Sequence, residues 1–274
     1  MSNLTDLISA GGGGSLPVNI VLTKSQTWVP PVDGNICIHV IGAGGGGLGK
    51  TVNPVSGGAG GYCKKTTLAV TTSGSFTVVV GAHGLGGWGV FNAEPQAGGN
   101  STVAGTGLSA TLTANGGSGA SFANNTNGAG GTASNGDVNN TGGAGGYGGG
   151  GAVGIHGTGN AGEPNFGGGG SSDAIGPLSL AGYGYIYGGH TTQQYVTTTN
   201  NSSAYGNWTY NFAGEFLAGG GSTLIDGSGF NQYVFGGRGG VGGGGGGCRN
   251  AYGTSKATGG DGGVGIVIIQ YLPA

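Results

Sequence analysis

The chain has 274 residues, of which 76 are glycine and only 6% are charged, and its formal net charge is −2. Its 7 basic residues are scattered, so the positive patch that binds DNA or RNA is missing and nucleic acid is not an expected partner. No apolar run approaches the roughly 20 residues of a membrane span. The first residues also lack the basic and apolar regions of a signal peptide, so we expect synthesis in a cytoplasm.

The N-terminal segment carries its own glycine run at 11–14 and precedes the first apolar stretch. From this position we interpret residues 1–17 as an attachment segment that docks the molecule onto a larger particle.

Six stretches rich in β-branched residues predict strands, at 18–22, 35–41, 65–70, 75–80, 110–113 and 265–271. Residues 28–35, WVPPVDGN, read as a strand end followed by a turn. Five of the stretches lie in the first half of the chain and the sixth at its end. We therefore predict a β-sandwich formed by 18–115 and 262–274, with its closing strand supplied by the C-terminus.

The stretch IHVIGAGGGGLGKT, residues 38–51, has the G-x-x-x-x-G-K-T spacing of a phosphate loop from Gly44 onward. Such a loop needs a following helix whose amides and dipole converge on the anion. Here Pro54 and the glycines after it occupy the first turns, so no helix is expected. More than a quarter of the chain is glycine, and such spacings then arise by accident. The structural interpretation is favoured over a nucleotide site.

Glycine runs recur along the chain, and their lengths and surroundings distinguish three interpretations. Flexible linkers are the usual reading of glycine-rich sequence, but these runs are short, numerous and mixed with small apolar residues. Collagen is excluded because strict Gly-X-Y periodicity and abundant proline are missing. We predict a bundle of polyglycine II helices over 116–261, in which glycine lets backbones bond laterally and no α-helix is needed. The runs are 44–47, 57–61, 142–151, 167–170, 219–221, 236–247 and 259–265.

Between the runs lie stretches rich in aromatic and polar residues, the most pronounced at 183–216. We expect them at the reversals of the bundle, where aromatic side chains on polar loops supply recognition surfaces. The alternative is that they only cover the open end of the bundle. The candidate receptor-binding residues are Tyr183, Tyr185, Tyr187, His190, Tyr195, Tyr205, Trp208 and Tyr210.

Catalytic and metal-binding patterns do not emerge from the sequence. The acidic residues are dispersed and the histidines have no recognisable nucleophile nearby in sequence. Three widely spaced cysteines, Cys37, Cys63 and Cys248, fit neither a disulfide framework nor a zinc site and are expected to be free thiols. Cys37 and His39 could supply two metal ligands from one strand face, but packing is the favoured role. We therefore expect no enzymatic activity, no cofactor and no metal.

An ordered series of segments resembles the glycine-rich domain of bacteriophage tail-fibre and other virion proteins. It comprises QTWVP at 26–30, CIHVIGAGGG at 37–46, GGY at 60–62, FTVVVG at 76–81 and DGGVGIVII at 261–269. The plan is similar to the glycine-rich region of anaplastic lymphoma kinase, a TNF-like sandwich with an inserted polyglycine bundle. It also resembles the tip adhesins of T-even phages, although the fibre-attachment helices and self-cleavage signals of some adhesins are missing.

The resemblance implies an all-β fold, a TNF-like or jelly-roll-like sandwich carrying a polyglycine II bundle, and a homotrimer. We expect a virion structural protein, a tail-fibre or tip adhesin that binds a host glycan or outer-membrane protein through its aromatic loops and also contacts other virion proteins. The alternative is a purely structural virion or filament subunit in which the same loops are buried between subunits.

Overall fold

The computed structural model describes residues 19–50, 53–88, 93–146, 149–150, 157–162, 223–225, 234–250 and 257–273. All regular elements within these ranges are β-strands, and no α-helix occurs among them, which confirms the predicted all-β class. In chain order the strands are β1 (Asn19–Leu22), β2 (Gln26–Trp28), β3 (Gly34–Ile41), β4 (Leu48–Lys50), β5 (Tyr62–Val70), β6 (Phe76–Val79), β7 (Gly87–Trp88), β8 (Ser101–Gly105), β9 (Leu112–Ala114), β10 (Ala133–Ser134), β11 (Val138–Asn140), β12 (Thr223–Ile225), β13 (Val234–Phe235), β14 (Cys248–Asn250), β15 (Ala257–Thr258) and β16 (Ile266–Tyr271).

Sheet one contains five antiparallel strands in the order β1-β16-β3-β5-β11. The C-terminal strand β16 lies between β1 and β3, with Ile266 opposite Ile41 and Tyr271 opposite Ile36. The prediction that the far C-terminus supplies a strand of the first sheet is confirmed. Because β3 and β16 are apolar on both faces, they occupy the interior of this sheet rather than its edge.

Sheet two, in the order β10-β9-β8-β6-β2, packs against sheet one and completes the sandwich. The tilted rings of Trp28 and Phe76, 5.4 Å apart between centroids, belong to the core between the sheets. Strand β8 was not predicted, since its sequence STVAG carries only one large apolar residue, Val103. The core comprises Leu22, Trp28, Ile36, Ile38, Val40, Cys63, Leu68, Val70, Phe76, Val78, Val103, Leu112, Ala114, Val267 and Ile269.

The glycine runs that the structure describes form rods that bond laterally to one another, as predicted. The runs at 167–170 and 219–221 lie outside the described residues. The amides of rod 42–47 donate to three other rods in turn, at N···O distances of 2.8–3.1 Å. Positions 42 and 45 donate to rod 56–61, positions 43 and 46 to rod 95–99, and positions 44 and 47 to rod 259–265. Its carbonyls accept from rods 81–87, 115–120 and 243–247. A period of three residues without internal hydrogen bonds is that of the polyglycine II helix.

Rod 56–61 is enclosed in the same way, bonding to rods 42–47, 115–120, 128–132 and 141–146. The close approach requires glycine: a Cβ on Gly44 would lie 2.5 Å from the carbonyl carbon of Gly243. At one reversal, Gly242 has φ of 71° and Gly243 N donates to Gly240 O at 2.7 Å. This turn separates rod 236–240 from rod 243–247, and positive φ is a conformation that glycine adopts without strain.

Rods and strands alternate along the chain, so the bundle begins earlier than residue 116. Rod 42–47 follows β3, rod 56–61 precedes β5, and rod 81–87 follows β6. In turn, β10 and β11 lie within the predicted bundle range 116–261 but pair with β9 and β5 of the sandwich. The boundary at 115 therefore does not separate the two kinds of structure.

The molecule has two distinct ends, which follow from the strand register. Asn19 pairs with Gln270, whereas Ile266 lies at the junction with rod 259–265. The described chain thus enters and leaves the sandwich at the end farthest from the bundle, which we call the base. The opposite end of the rods is called the distal end.

A third sheet closes the distal end of the bundle, in the order β12-β14-β4-β7-β15-β13. Its strands have two or three residues each, and four of its five strand pairings are parallel. Five of these strands, β4, β7, β13, β14 and β15, directly follow or precede a rod. A small apolar cluster at this end consists of Leu48, Val55 and Ala120, with Phe122 partly buried against them. This sheet was not predicted from the sequence.

Candidate functional site

The phosphate-loop spacing at 44–51 belongs to the bundle. Each amide from Gly44 to Gly47 donates to a carbonyl of a neighbouring rod, so none of these four converges on a common anion site. Lys50 Nζ donates to Phe122 O at 3.2 Å and to Asn125 Oδ1 at 2.8 Å, and lies 4.9 Å from the centroid of the Phe122 ring. These bonds support the structural interpretation of the stretch.

A well-anchored loop, 121–127, stands at the distal end between two rods. The carboxylate of Glu94 accepts from the amides of Phe122 at 2.7 Å and Ala123 at 3.1 Å. Asn125 has φ of 52°, and Ser121 and Thr126 form an isolated bridge that closes the loop. A single carboxylate bonded to two successive amides gives this reversal a fixed shape.

The predicted receptor-binding residues, Tyr183, Tyr185, Tyr187, His190, Tyr195, Tyr205, Trp208 and Tyr210, lie outside the described residues. Their receptor-binding role stays a prediction. The described chain that precedes them ends in rod 157–162, whose Gly159 and Gly162 donate to Thr141 and Ala144.

Cys37, His39 and Tyr62 form a buried chain of hydrogen bonds on sheet one. His39 Nδ1 lies 2.6 Å from the Tyr62 hydroxyl, and His39 Nε2 lies 3.3 Å from Cys37 Sγ. Burial, assisted by the charge of Lys64, lowers the pKa of His39 to about 4, and burial raises the pKa values of Cys37 and Tyr62. All three groups are therefore neutral at pH 7. Sequence reasoning noted the Cys37 and His39 pair but missed Tyr62, which is 23 residues away.

The three cysteines are thiols, as predicted, and all three are buried. Burial raises the pKa of Cys63 to about 11, and its Sγ donates to Ser134 O at 3.2 Å. Burial also raises the pKa of Cys248, whose Sγ donates to Thr258 O at 3.1 Å. A nucleophilic or metal-binding cysteine needs a thiolate, so these environments favour structural roles. Among the described residues, no group of three or more metal-ligating side chains comes together.

One exposed surface follows from a three-residue period in two segments of the sequence. The segments FGGRGGV at 235–241 and TGGDGGV at 258–264 carry a side chain at every third position. Because the rods have three residues per turn, these side chains share one face, and so do positions 82, 85 and 88 of the neighbouring rod. Val241 is partly buried against the cluster that contains Ile41 and Tyr62. We call the other eight residues the three-rod face: Ala82, Leu85, Trp88, Phe235, Arg238, Thr258, Asp261 and Val264.

The rods of the three-rod face are in register. Thr258 is paired with Trp88 on one side, and Phe235 is its partner on the other. One turn nearer the base, Arg238 Nη2 lies 3.1 Å from Asp261 Oδ2, and Asp261 Oδ1 accepts from Gly86 N at 2.9 Å. The side chains therefore form rows across the rods, one aromatic and one charged.

Comparison with known proteins identifies a family for this chain. No curated protein sequence matches the chain. In the part of the chain that the structure describes, no helix is long and apolar enough to cross a bilayer. The sequence profile of a family described as a glycine-rich domain matches residues 20–272, which include every rod described above and every strand residue except Asn19 of β1. The chain belongs to this glycine-rich domain family.

Proposed function

We propose that this protein is a virion structural protein of the tail-fibre or tip-adhesin kind, which binds a bacterial surface receptor through the aromatic-rich segment 183–216. The resemblance noted above motivates the phage assignment. It also implies that the protein is assembled in the host cytoplasm as part of a virion, contacts other virion proteins there, and is a homotrimer. No enzymatic activity is part of the proposal.

The observation that carries the proposal is the polarity of the molecule. The described chain enters and leaves at the base, while loop 121–127 and sheet three lie at the distal end. A rod of six residues spans about 19 Å at about 3.1 Å per residue, so the bundle holds its distal connections well away from the base. An adhesin needs this arrangement, because one end attaches to the particle and the other faces the host.

Rigidity supports the same function. A rigid body that carries a binding segment loses less conformational entropy when a receptor docks. Rods 42–47 and 56–61 are bonded laterally to several others, so the bundle resists bending in every direction. Several copies on one particle would add avidity to weak single sites.

The test uses the full-length chain, fluorescently labelled, on a panel of Gram-negative bacterial cells. One variant carries Tyr195→Ser, Tyr205→Ser and Trp208→Ser. The matched control carries Val29→Ser and Val32→Ser, two exposed residues near the base. We expect the full chain and the control to bind at least one strain, and the aromatic variant to lose at least tenfold in binding without a change in melting temperature.

Light scattering on the same proteins tests the alternative, in which the aromatic segment is buried between subunits. A lower oligomeric mass of the aromatic variant would favour a structural subunit and overturn the adhesin proposal. Unchanged cell binding by that variant, or no binding of the full chain to any strain, would overturn it as well.

A further inference from the structure

Lys50 and Asn125 are held side by side at the distal end of the bundle. Lys50 Nζ donates to Asn125 Oδ1 at 2.8 Å and to Phe122 O at 3.2 Å, so two bonds fix the amine against loop 121–127. A C=O bond is about 1.2 Å long, so Nζ lies within about 4.0 Å of the Cγ carbon of Asn125. Reacting atoms in a near-attack arrangement are about 3–3.5 Å apart. The amine is therefore a small displacement away from the carboxamide carbon.

The surroundings of Lys50 favour the neutral form of its amine. Nζ lies 4.9 Å from the centroid of the Phe122 ring, which packs on the apolar cluster at this end of the bundle. Burial lowers the pKa of Lys50, and the charge of Glu94 opposes only part of this shift. An amine is a nucleophile only when it is deprotonated. Lys50 is therefore more reactive toward a carbonyl carbon than a lysine that is surrounded by water.

The carboxamide and a carboxylate are also fixed in place. Asn125 lies in a loop that is closed by an isolated bridge, and its φ is 52°. Glu94 accepts hydrogen bonds from two amides of the same loop and acts on the charge of Lys50. A carboxylate has about four lone-pair sites, so Glu94 keeps acceptor capacity for a proton beside its two amide bonds. An amine, a carboxamide and a carboxylate are thus grouped around one loop.

We propose that Lys50 and Asn125 join in an intramolecular isopeptide bond. The lone pair of Nζ attacks the Cγ carbon of Asn125, so that the Nζ–Cγ bond forms and the Cγ–Nδ2 bond breaks. The two protons that the ammonium of Lys50 loses pass by way of the Glu94 carboxylate to the Nδ2 nitrogen, which leaves as ammonium. The reaction needs no oxidant, reductant or cofactor, and it lowers the mass of the chain by about 17 Da, the mass of ammonia.

This bond gives the bundle a covalent clip at its distal end. It joins β4, which continues rod 42–47, to the loop that follows rod 115–120. The cross-link closes a loop of about 75 residues and so restricts the unfolded chain. We expect the linked chain to melt on the order of 10 °C above a chain without the bond. The clip belongs to the body of the molecule and does not depend on segment 183–216.

The test is the mass of the full-length chain, purified and denatured, followed by digestion with chymotrypsin and tandem mass spectrometry. We expect a mass about 17 Da below that of the sequence, and one cross-linked peptide pair that joins Lys50 to Asn125. Lys50→Arg and Asn125→Gly should both have the full mass of their sequences. Both variants should fold, because arginine keeps the charge and glycine adopts positive φ without strain. Glu94→Gln should form the bond about a hundredfold more slowly.

The pair Lys65 and Asp137 is an internal control. Lys65 Nζ lies 2.8 Å from Asp137 Oδ1, the same separation as in the proposed site. Here the hydrogen bond from Lys65 lowers the pKa of Asp137, so the carboxyl group is ionised, and its negative charge resists attack by an amine. We expect no cross-linked peptide between these two residues, although their separation is equally short.

The outcomes decide the proposal without any use of cells or receptors, so failure of the adhesin proposal leaves it standing. A full-length chain that keeps its full mass after prolonged incubation at mildly alkaline pH would overturn the isopeptide bond. A mass deficit that persists in Lys50→Arg, or that maps to a succinimide at an Asn-Gly step such as Asn115-Gly116, would overturn it as well. Equally fast linkage in Glu94→Gln would overturn the proton transfer by Glu94.

Discussion

Gly44→Ala tests the close packing of the rods. A Cβ at this position would overlap the carbonyl oxygen of Gly243 and lie 2.5 Å from its carbonyl carbon, whereas ordinary contacts begin at 3.4 Å, so the rods have to separate by at least about 0.9 Å. The bond from Gly245 N to Gly45 O, now 2.8 Å, would then exceed the hydrogen-bond range.

The cost follows from the burial of the separated groups. Each buried donor or acceptor left without a partner costs about 1–3 kcal/mol, so one broken bond costs about 4 kcal/mol in free energy of unfolding. For a chain of this size, each kcal/mol lowers the melting temperature by about 2–4 °C. We expect Gly44→Ala to melt about 8–16 °C below the unmodified chain.

The assay is thermal unfolding followed by circular dichroism and checked by calorimetry. Gly34→Ala is the matched control, because a Cβ there would lie 3.5 Å from the Tyr271 ring, an ordinary contact on β3. It should unfold within about 1 kcal/mol of the unmodified chain. Equal melting temperatures for the two variants would refute the reasoning, since rods that tolerate a methyl group at Gly44 are not packed backbone against backbone.

Three further predictions concern side chains of the described residues. Burial holds the pKa of His39 near 4 in the folded chain, against about 6.5 in the unfolded chain, so the unfolded chain binds the proton more tightly. The contribution of His39 to stability is therefore full above pH 6.5, and we expect about 3 kcal/mol of the free energy of unfolding to be lost as the pH falls from 6.5 to 4. This pH-dependent component should vanish in His39→Gln. Glu94→Gln should speed amide hydrogen exchange at Phe122 about tenfold, as one carboxylate oxygen is replaced by a donor, and an unchanged exchange rate would disprove the anchoring role of Glu94. A disulfide reagent at pH 8 should leave the thiols of the native chain unmodified and label them after denaturation in guanidinium, while rapid native labelling would contradict the burial of Cys37, Cys63 and Cys248.

The sequence was sufficient for the elements whose own residues determine them. Strands β3 and β16 are continuous apolar runs, and the lateral bonding of glycine runs follows from the absence of side chains and the need to pair buried amides. The sequence was insufficient where a partner that is distant in the chain determines the local structure. Leu48–Lys50 becomes a strand because β7 and β14 lie beside it. His39 stays neutral because the folded chain buries it, and its hydrogen-bond partner Tyr62 comes from another strand. The three-residue period of the three-rod face was visible in the sequence, but the register between its rods could be read only from the structure.

In the X-Gly-Gly repeats at 235–241 and 258–264, the residues that set the backbone packing differ from the residues that set the surface chemistry. The glycines fix the spacing of the rods, and among the residues between them Phe235, Arg238 and Val264 are exposed. Exchange of an outward residue therefore alters the chemistry at a known grid point and leaves the backbone beneath it unchanged. Such a lattice is a ready template for displaying designed patterns of groups at fixed intervals.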